Sequence, residues 1–366
     1  MSEVSLSRAF ALQGSACSHL GSPFTGQLCA LFAERWTPRS DAVAERLFDW
    51  DGDVTSAGDN LPLRLAGALH HWALTDRDAG LKRCWPPHTA DADAIWDSVS
   101  RVLKADAQDI LAFCRNPPQT NEVGRSAALM PVLLTLAARF AGLPLALFEV
   151  GASAGLNLCL DRWGYRLGGR VCGDADSALQ LTPQWRGAPL GAGFEGARLH
   201  IAERRGCDIA PIDVRSEAGC ARLMSYIWPD QRERLERTRS AVEIARSLDV
   251  RLDTCGAGEW LEQRLTPSPG EQLRVVYSTV AWQYFSRADQ QRGRDRIRRI
   301  GEGGGDRAPL AWLRVEADEA SQRGQGAAII LALWCGGASD GVERELGRAD
   351  FHGRWVEWGG ASPGEL

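Results

Sequence analysis

A chain of 366 residues, 44% apolar and 24% charged, can bury one large core or two ordinary ones, and its composition is that of a globular protein and not of a disordered or membrane one. Its formal charge of −5, with arginines dispersed along the chain and lysines only at 82 and 104, gives no overall pull towards nucleic acid or an anionic membrane surface. No apolar stretch approaches the roughly 20 residues of a membrane span, and the start Met1-Ser-Glu-Val-Ser-Leu-Ser-Arg8 lacks the basic and apolar regions of a signal peptide, so a cytoplasmic location is expected.

Residues 1–140 read as a helical N-terminal region. Phe10, Leu12 and Leu20 precede a Gly-Ser-Pro stop at 21–23, and a second helix is expected from Phe24 to Trp36. A third starts near Leu61, with Pro62 acceptable in its first turn. Ala92 to Phe113 and Glu122 to Phe140 supply two more, the last with Leu129, Leu133, Leu136 and Phe140 in helical phase. At its start Asn121 and Glu122 suit a helix cap, while Arg125, in an otherwise apolar stretch, is placed to hold a carboxylate bidentately.

From Leu145 the pattern changes to strands alternating with helices, a second region of residues 141–366. Leu145 to Val150 reads as a strand buried on both faces. Gly151-Ala-Ser-Ala-Gly155 then makes a tight turn, and a helix is expected from Leu156 to Trp163. Glu149, near the end of a buried strand, needs a partner or a ligand, because an unpaired buried carboxylate is costly. Asn157, among leucines, can cap the turn or reach a ligand. A glycine-rich insertion, 164–197, leads to a strand at Arg198–Ala202, followed by the acidic candidates Glu203, Asp208 and Asp213. Helix is expected over 217–248 with a break at Trp228-Pro229, a short strand over 250–253, and a β-branched strand over 274–280. Trp282, Gln283 and Tyr284 follow it, where the loop after a strand faces a crevice. A helix over 289–300 precedes three last strands, 310–315, 327–334 and 354–358, the final two as an antiparallel edge pair.

The ten cysteines stand singly, with no Cys-x-x-Cys or short Cys/His cluster, so no metal site is expected and the thiols are read as reduced and mostly buried. Two chemistries compete for the central turn. Gly151-Ala-Ser153-Ala-Gly155 satisfies Gly-x-Ser-x-Gly, the nucleophile elbow of α/β-hydrolases, with Asp318 or Asp340 and then His352 available in the right order. Against it, some 140 residues that read as helical precede the turn, where a hydrolase has strands. Position 153 is also wrong for the second glycine of a dinucleotide turn.

The second chemistry rests on resemblance. Strand, acidic residue and Gly-x-x-x-Gly resemble the first motif of class I S-adenosylmethionine-dependent methyltransferases. The chain as a whole is similar to an uncharacterised bacterial family, domain of unknown function number 2332. That similarity is carried by Asn121-Glu122-x-x-Arg125, the run Glu149 to Leu158, Asp213 in Pro-Ile-Asp-Val, Trp228-Pro-Asp-Gln231, Trp282-Gln-Tyr284 and His352-Gly353-x-Trp355. The resemblance implies an α/β fold, a Rossmann-like, methyltransferase-type mainly parallel sheet with an N-terminal helical region. It implies S-adenosylmethionine as cofactor, held by Asn121, Arg125, Glu149, Gly151, Ala152, Ser153, Gly155, Asn157 and Asp213, with a small-molecule acceptor. Tyr284 or His352 would handle a proton. The sequence departs from the resemblance at Ser278-Thr279, where His-Ser is usual, and at Cys255-Gly256, where Gly-Asp is usual.

Overall fold

The computed structural model describes residues 5–191, 194–268 and 270–360, so residues 192 and 193 of the expected insertion lie outside it. Seven helices open the chain: α1 (Leu6–His19), α2 (Pro23–Arg35), α3 (Ala42–Phe48), α4 (Leu61–Leu74), α5 (Ala79–Arg83), α6 (Ala92–Ala105) and α7 (Ala107–Cys114). They are followed by α8 (Ser126–Arg139), and among the described residues no strand precedes Leu145. The single helix expected over 92–113 breaks at Asp106, whose carboxylate accepts the Trp72 indole N–H at 2.8 Å.

Contacts gather the chain into two interleaved units, residues 1–120 with 214–236 and residues 121–213 with 237–366. The first is all helical and includes α9 (Glu217–Ser225). Its middle element is α4, buried nearly all round, as a helix apolar on every side must be. The Phe10, Phe32 and Trp36 rings pack at 4.9–6.0 Å, the two phenyl rings stacked and Trp36 edge-on to both, in the core around α1 and α2. The Trp228-Pro-Asp230-Gln231 motif has a structural job here. Asp230 takes the Ser22 hydroxyl and, at 2.8 Å, the Phe24 N–H, and so holds the first turn of α2.

The second unit holds a nine-stranded sheet in the order β5-β12-β11-β10-β9-β8-β1-β6-β7. Its strands are β1 (Leu145–Val150), β5 (Gln184–Gly187), β6 (Ile201–Asp208), β7 (Arg251–Thr254), β8 (Leu273–Thr279), β9 (Leu310–Glu316), β10 (Ala327–Trp334), β11 (Arg344–Ala349) and β12 (Trp355–Trp358). A separate small sheet, β3-β2-β4, is formed by β2 (Gly164–Leu167), β3 (Arg170–Gly173) and β4 (Gln180–Leu181). The run β7-β6-β1-β8-β9 is parallel throughout. From β1 the chain builds β6 and β7 on one side, then returns to build β8 and β9 on the other. The carboxyl ends of β1 and β8 therefore meet where the direction of winding reverses, the place where open α/β sheets bind ligands. Along β1 the side chains alternate: Ala146, Phe148 and Val150 face α11 (Ala257–Arg264) and α12 (Arg287–Glu302), while Leu147 and Glu149 point to the opposite face. The helix α10 (Arg232–Arg246) carries the chain from the first unit back into the second.

Three expectations are corrected. The second strand of the parallel run is not Arg198–Ala202 but Ile201–Asp208, and it carries Glu203, Arg204 and Arg205 into the sheet. Those charges hide the strand in the sequence and are tolerated because each is paired: Arg204 with Asp161 at 2.6 Å, Arg205 with Glu203 at 2.6 Å. The last two expected strands do not pair with each other, since β11 lies between β10 and β12. After the central turn the expected α-helix is a seven-residue 3-10 helix, Leu156–Arg162. Its carbonyls are drawn off by side chains, Leu158 O by Arg204 at 2.7 Å and Leu160 O by the Tyr165 hydroxyl at 2.8 Å.

The Arg204–Asp161 pair is bidentate and both side chains are under 10% exposed, at 8% and 6%. Removing one partner strands a buried charge. Asp161→Ala is expected to lower stability in denaturant unfolding by about 3–5 kcal/mol, and Asp161→Leu with Arg204→Met together by much less.

Candidate functional site

The turn after β1 is held from two sides. Asp208, the last residue of β6, accepts the Ser153 N–H at 2.9 Å through one carboxylate oxygen and the Ala210 N–H at 2.9 Å through the other. Asn121 accepts the Leu156 N–H at 2.7 Å. Ala152 N donates to Cys207 O at 2.9 Å and Gly155 N to Ala152 O at 2.7 Å. The N–H groups of 152, 153, 155 and 156 are thus used inside the protein, so the turn is not an anion cradle. Gly151 and Gly155 have φ of +69° and +71°. A Cβ on Gly151 would lie 2.5 Å from that of Ala281, and one on Gly155 would lie 3.0 Å from a Val250 methyl. Conformation and packing both demand glycine there.

Glu149 is 1% exposed. Its Oε2 has no hydrogen-bond partner, nor do three other buried atoms near the turn: Ser153 Oγ, Asn157 Oδ1 and the Tyr277 hydroxyl. Burial, and then the negative charge of Asp208, push the Glu149 carboxyl well above the usual carboxylate range. The Tyr277 hydroxyl, the Asn157 amide and the Arg125 guanidinium pull it back down in part, although neither of the first two reaches hydrogen-bond geometry with it. Tyr277 stands beside Glu149 in the β1–β8 register. The sequence reading misses it, and the one signal for it is the only aromatic side chain of β8, a strand that also carries Arg274, Ser278 and Thr279.

Beside this carboxyl lies the segment 121–125. Asn157 donates to Glu122 O at 3.4 Å, and Glu122 Oε1 accepts from Gly124 N at 3.0 Å and Arg237 at 2.9 Å. Arg125 donates to Thr279 O at 2.9 Å and Phe351 O at 2.8 Å, so its fork grips two carbonyls. Two stretches far apart in the chain, Asn121-Glu122-x-x-Arg125 and His352-Gly353, are thereby brought together: a Cβ on Gly353 would strike the Gly124 backbone at 2.3 Å. His352 sits in a turn whose N–H groups at 352 and 354 are taken by Asp350.

A second buried carboxyl, Glu316, closes β9. It accepts the Ser278 hydroxyl at 2.7 Å and the Ala281 and Trp282 N–H groups at 3.1 Å. Burial raises it above the ordinary range, and those donors offset this in part. Val280, between them, is held at φ +52°, a strained conformation for a β-branched residue. Glu316 carried the same signal as Glu149, an acid ending an apolar strand.

Other expected residues fall elsewhere. Tyr284 is 73% exposed. Trp282 is core, against Trp312 at 5.1 Å. Asp213 is exposed beyond β6, and Glu203 is within it. Ser153 Oγ has no partner, so no histidine is hydrogen-bonded to it. Asp318 pairs with Arg348, and Asp340 caps the 335–337 amides. Among the described residues no group of three His, Cys, Asp or Glu could hold a metal, and the ten cysteines are free.

A carboxyl that keeps its proton in the native state above the pH at which an unfolded chain loses it gives stability that is full below the ordinary carboxylate range. That stability fades as pH rises through the raised value. Glu149→Gln is therefore expected to flatten the fall of Tm with rising pH and to raise stability at neutral pH by roughly 0.5–2 kcal/mol, as removal of a strained functional group does. Thermal unfolding across pH checks it.

No curated protein and no solved structure matches the chain. Residues 7–358 match the family described as an uncharacterized protein conserved in bacteria, DUF2332. With nearly the whole chain matched, the protein belongs to that family.

Proposed function

We propose that the protein binds S-adenosylmethionine at the carboxyl end of β1 and transfers its methyl group to a small acceptor. The observation that carries this is Glu149, a buried carboxyl with an unpartnered oxygen at the winding reversal of the sheet. A cationic ligand is what such a group lacks. Two features support the reading. The five parallel strands, numbered among themselves in chain order, lie 3-2-1-4-5, as in the methyltransferase-type Rossmann sheet. Asp208 ends the strand next to β1, where nucleotide-binding sheets carry a ribose-holding acid.

The residues fit the cofactor at these two carboxylates and less well at the turn, whose N–H groups are already used. When bound, S-adenosylmethionine supplies an electrophilic methyl on a sulfonium centre. The chain's part is to hold the ligand's cationic end on Glu149, to keep the turn clamped on Asp208, and to position the acceptor in line. His352, in its Asp350-held turn, and Tyr284, on the loop after β8, are the proton-handling candidates. The hydrolase alternative is less well supported, because Ser153 lacks a hydrogen-bonded base.

Calorimetry is expected to give one S-adenosylmethionine per chain, with Glu149→Gln weakening it at least tenfold, about 1.4 kcal/mol. No binding to the wild-type chain overturns the reading, and covalent labelling of Ser153 by a fluorophosphonate replaces it with the hydrolase.

A further inference from the structure

Strand β10 runs antiparallel to β9, with Trp334 beside Leu310, so it ends where the parallel strands begin, at the end of the sheet away from the central turn. A cleft of about 220 Å³ opens there, between the last turn of α8 and the hairpin that joins β10 to β11. Its floor is apolar. Leu331 and Leu333, alternate residues of β10, are 3% and 7% exposed, and Val342 at the mouth is 54% exposed. Two arginines enter from separate elements. Arg139 belongs to the last turn of α8, and Arg344 opens β11 directly opposite Leu331, so it projects from the same face as the floor.

Arg139 donates to Cys335 Sγ at 3.6 Å, and its guanidinium lies 5.5 Å over the Phe140 ring. Both contacts orient the fork and neither brings a negative charge. Asp340 also lines the cleft, but its oxygens are committed to the hairpin backbone. One accepts the Cys335 and Gly337 N–H groups at 2.9 and 3.1 Å, and the other accepts Gly336 N–H at 2.9 Å. Glu343 and Glu345 turn to Arg314 at 2.6 Å and Arg348 at 3.1 Å. Among the described residues, the charged lining is therefore two guanidinium groups against one carboxylate that already holds three donors.

A guanidinium has five donors in a planar fork, more than one or two partners use, and the fork suits a carboxylate or a phosphate. The hairpin tells these two apart. Its backbone at 335–337 is the kind of amide nest that cradles phosphate, yet Asp340 already fills it, and a dianion would face that carboxylate. Hydrocarbon, moreover, forms the floor beneath the arginines. We infer that this cleft binds a small monocarboxylic acid, its carboxylate on Arg139 and Arg344 and its aliphatic chain on Leu331, Leu333 and Val342. At roughly 30 Å³ per water-sized group, the volume admits about seven non-hydrogen atoms, which is about a five-carbon acid. The site lies at the opposite end of the sheet from the one proposed for S-adenosylmethionine and does not depend on that reading.

The test is calorimetry of the full chain with pentanoate, acetate, pentanol and inorganic phosphate, paired with mass spectrometry of iodoacetamide labelling at Cys335. Pentanoate is expected to bind once per chain and to slow the labelling. Each methylene laid on the floor tightens binding by up to about fourfold, so acetate should be at least about tenfold weaker. Pentanol, which brings the chain without the charge, should not bind. Arg139→Met and Arg344→Met should each weaken pentanoate at least about tenfold. Val342→Asp, an exposed change at the mouth that leaves both arginines in place, should do the same by repulsion with unchanged circular dichroism. That variant decides the matter even where an arginine variant fails to fold. Pentanoate binding equally well to wild type and to Val342→Asp overturns the site, as does the absence of any pentanoate effect on the wild-type chain. Phosphate binding as tightly as pentanoate overturns the assignment to a carboxylic acid, and acetate doing so overturns the role of the floor.

Discussion

Asp208 and Asn121 reach the central turn from opposite directions and take the N–H groups of Ser153 and Leu156. Much of the second unit follows from this clamp. With the turn fixed, Gly151 can lie against Ala281 and Phe285, and Gly155 against Val250 and Leu252, so that the loops after β1 and β8 and the approach to β7 close on one another. The same clamp sets where β1 ends, and hence where Glu149 stands. With these N–H groups taken, a ligand placed there must be recognised by side chains.

Polar groups under the 3-10 helix divide into two kinds. Arg204 and Asp161 answer each other in full and anchor the helix to β6. Glu149, Asn157 and Tyr277 leave oxygens unanswered a short distance away. A low-dielectric interior magnifies both the benefit of the first arrangement and the cost of the second. Natural folds keep such a cost where function requires it.

Much of this was legible in the sequence, for definable reasons. The apolar run of β1 and the β-branched run of β8 read at nearly their true limits, and the long apolar helix α8 carries its own periodicity but starts four residues later than expected, after a 3-10 turn at Val123–Arg125. Strand β6 is misplaced because Glu203, Arg204 and Arg205 look like solvent-facing residues until their partners are seen. The 3-10 helix reads as an α-helix because its cause, side chains from 165 and 204 taking its carbonyls, lies outside the segment. At the site, Glu149 and the glycines were visible, since an acid at the end of an apolar strand is an anomaly in one dimension. Tyr277 was not, because only the β1–β8 register makes it a neighbour of Glu149. Arg125 stands out as a holder of a carboxylate, yet it holds two carbonyls contributed by residues 279 and 351, which no local pattern announces.

The interleaving of the two units bears on how the chain is made. Ser22 and Asp230, which fasten the start of α2, are 208 residues apart. The first helices leave the ribosome long before the residue that completes their cap, and the whole of β1 and β6 is synthesised in between. The leading half of the chain must therefore persist in an unfinished state, its α4 surface awaiting the 214–236 segment. That is a long wait for a non-local contact. Neither unit is a continuous stretch, so no single cut releases either whole, and a chain ending near residue 213 lacks the piece that finishes its beginning.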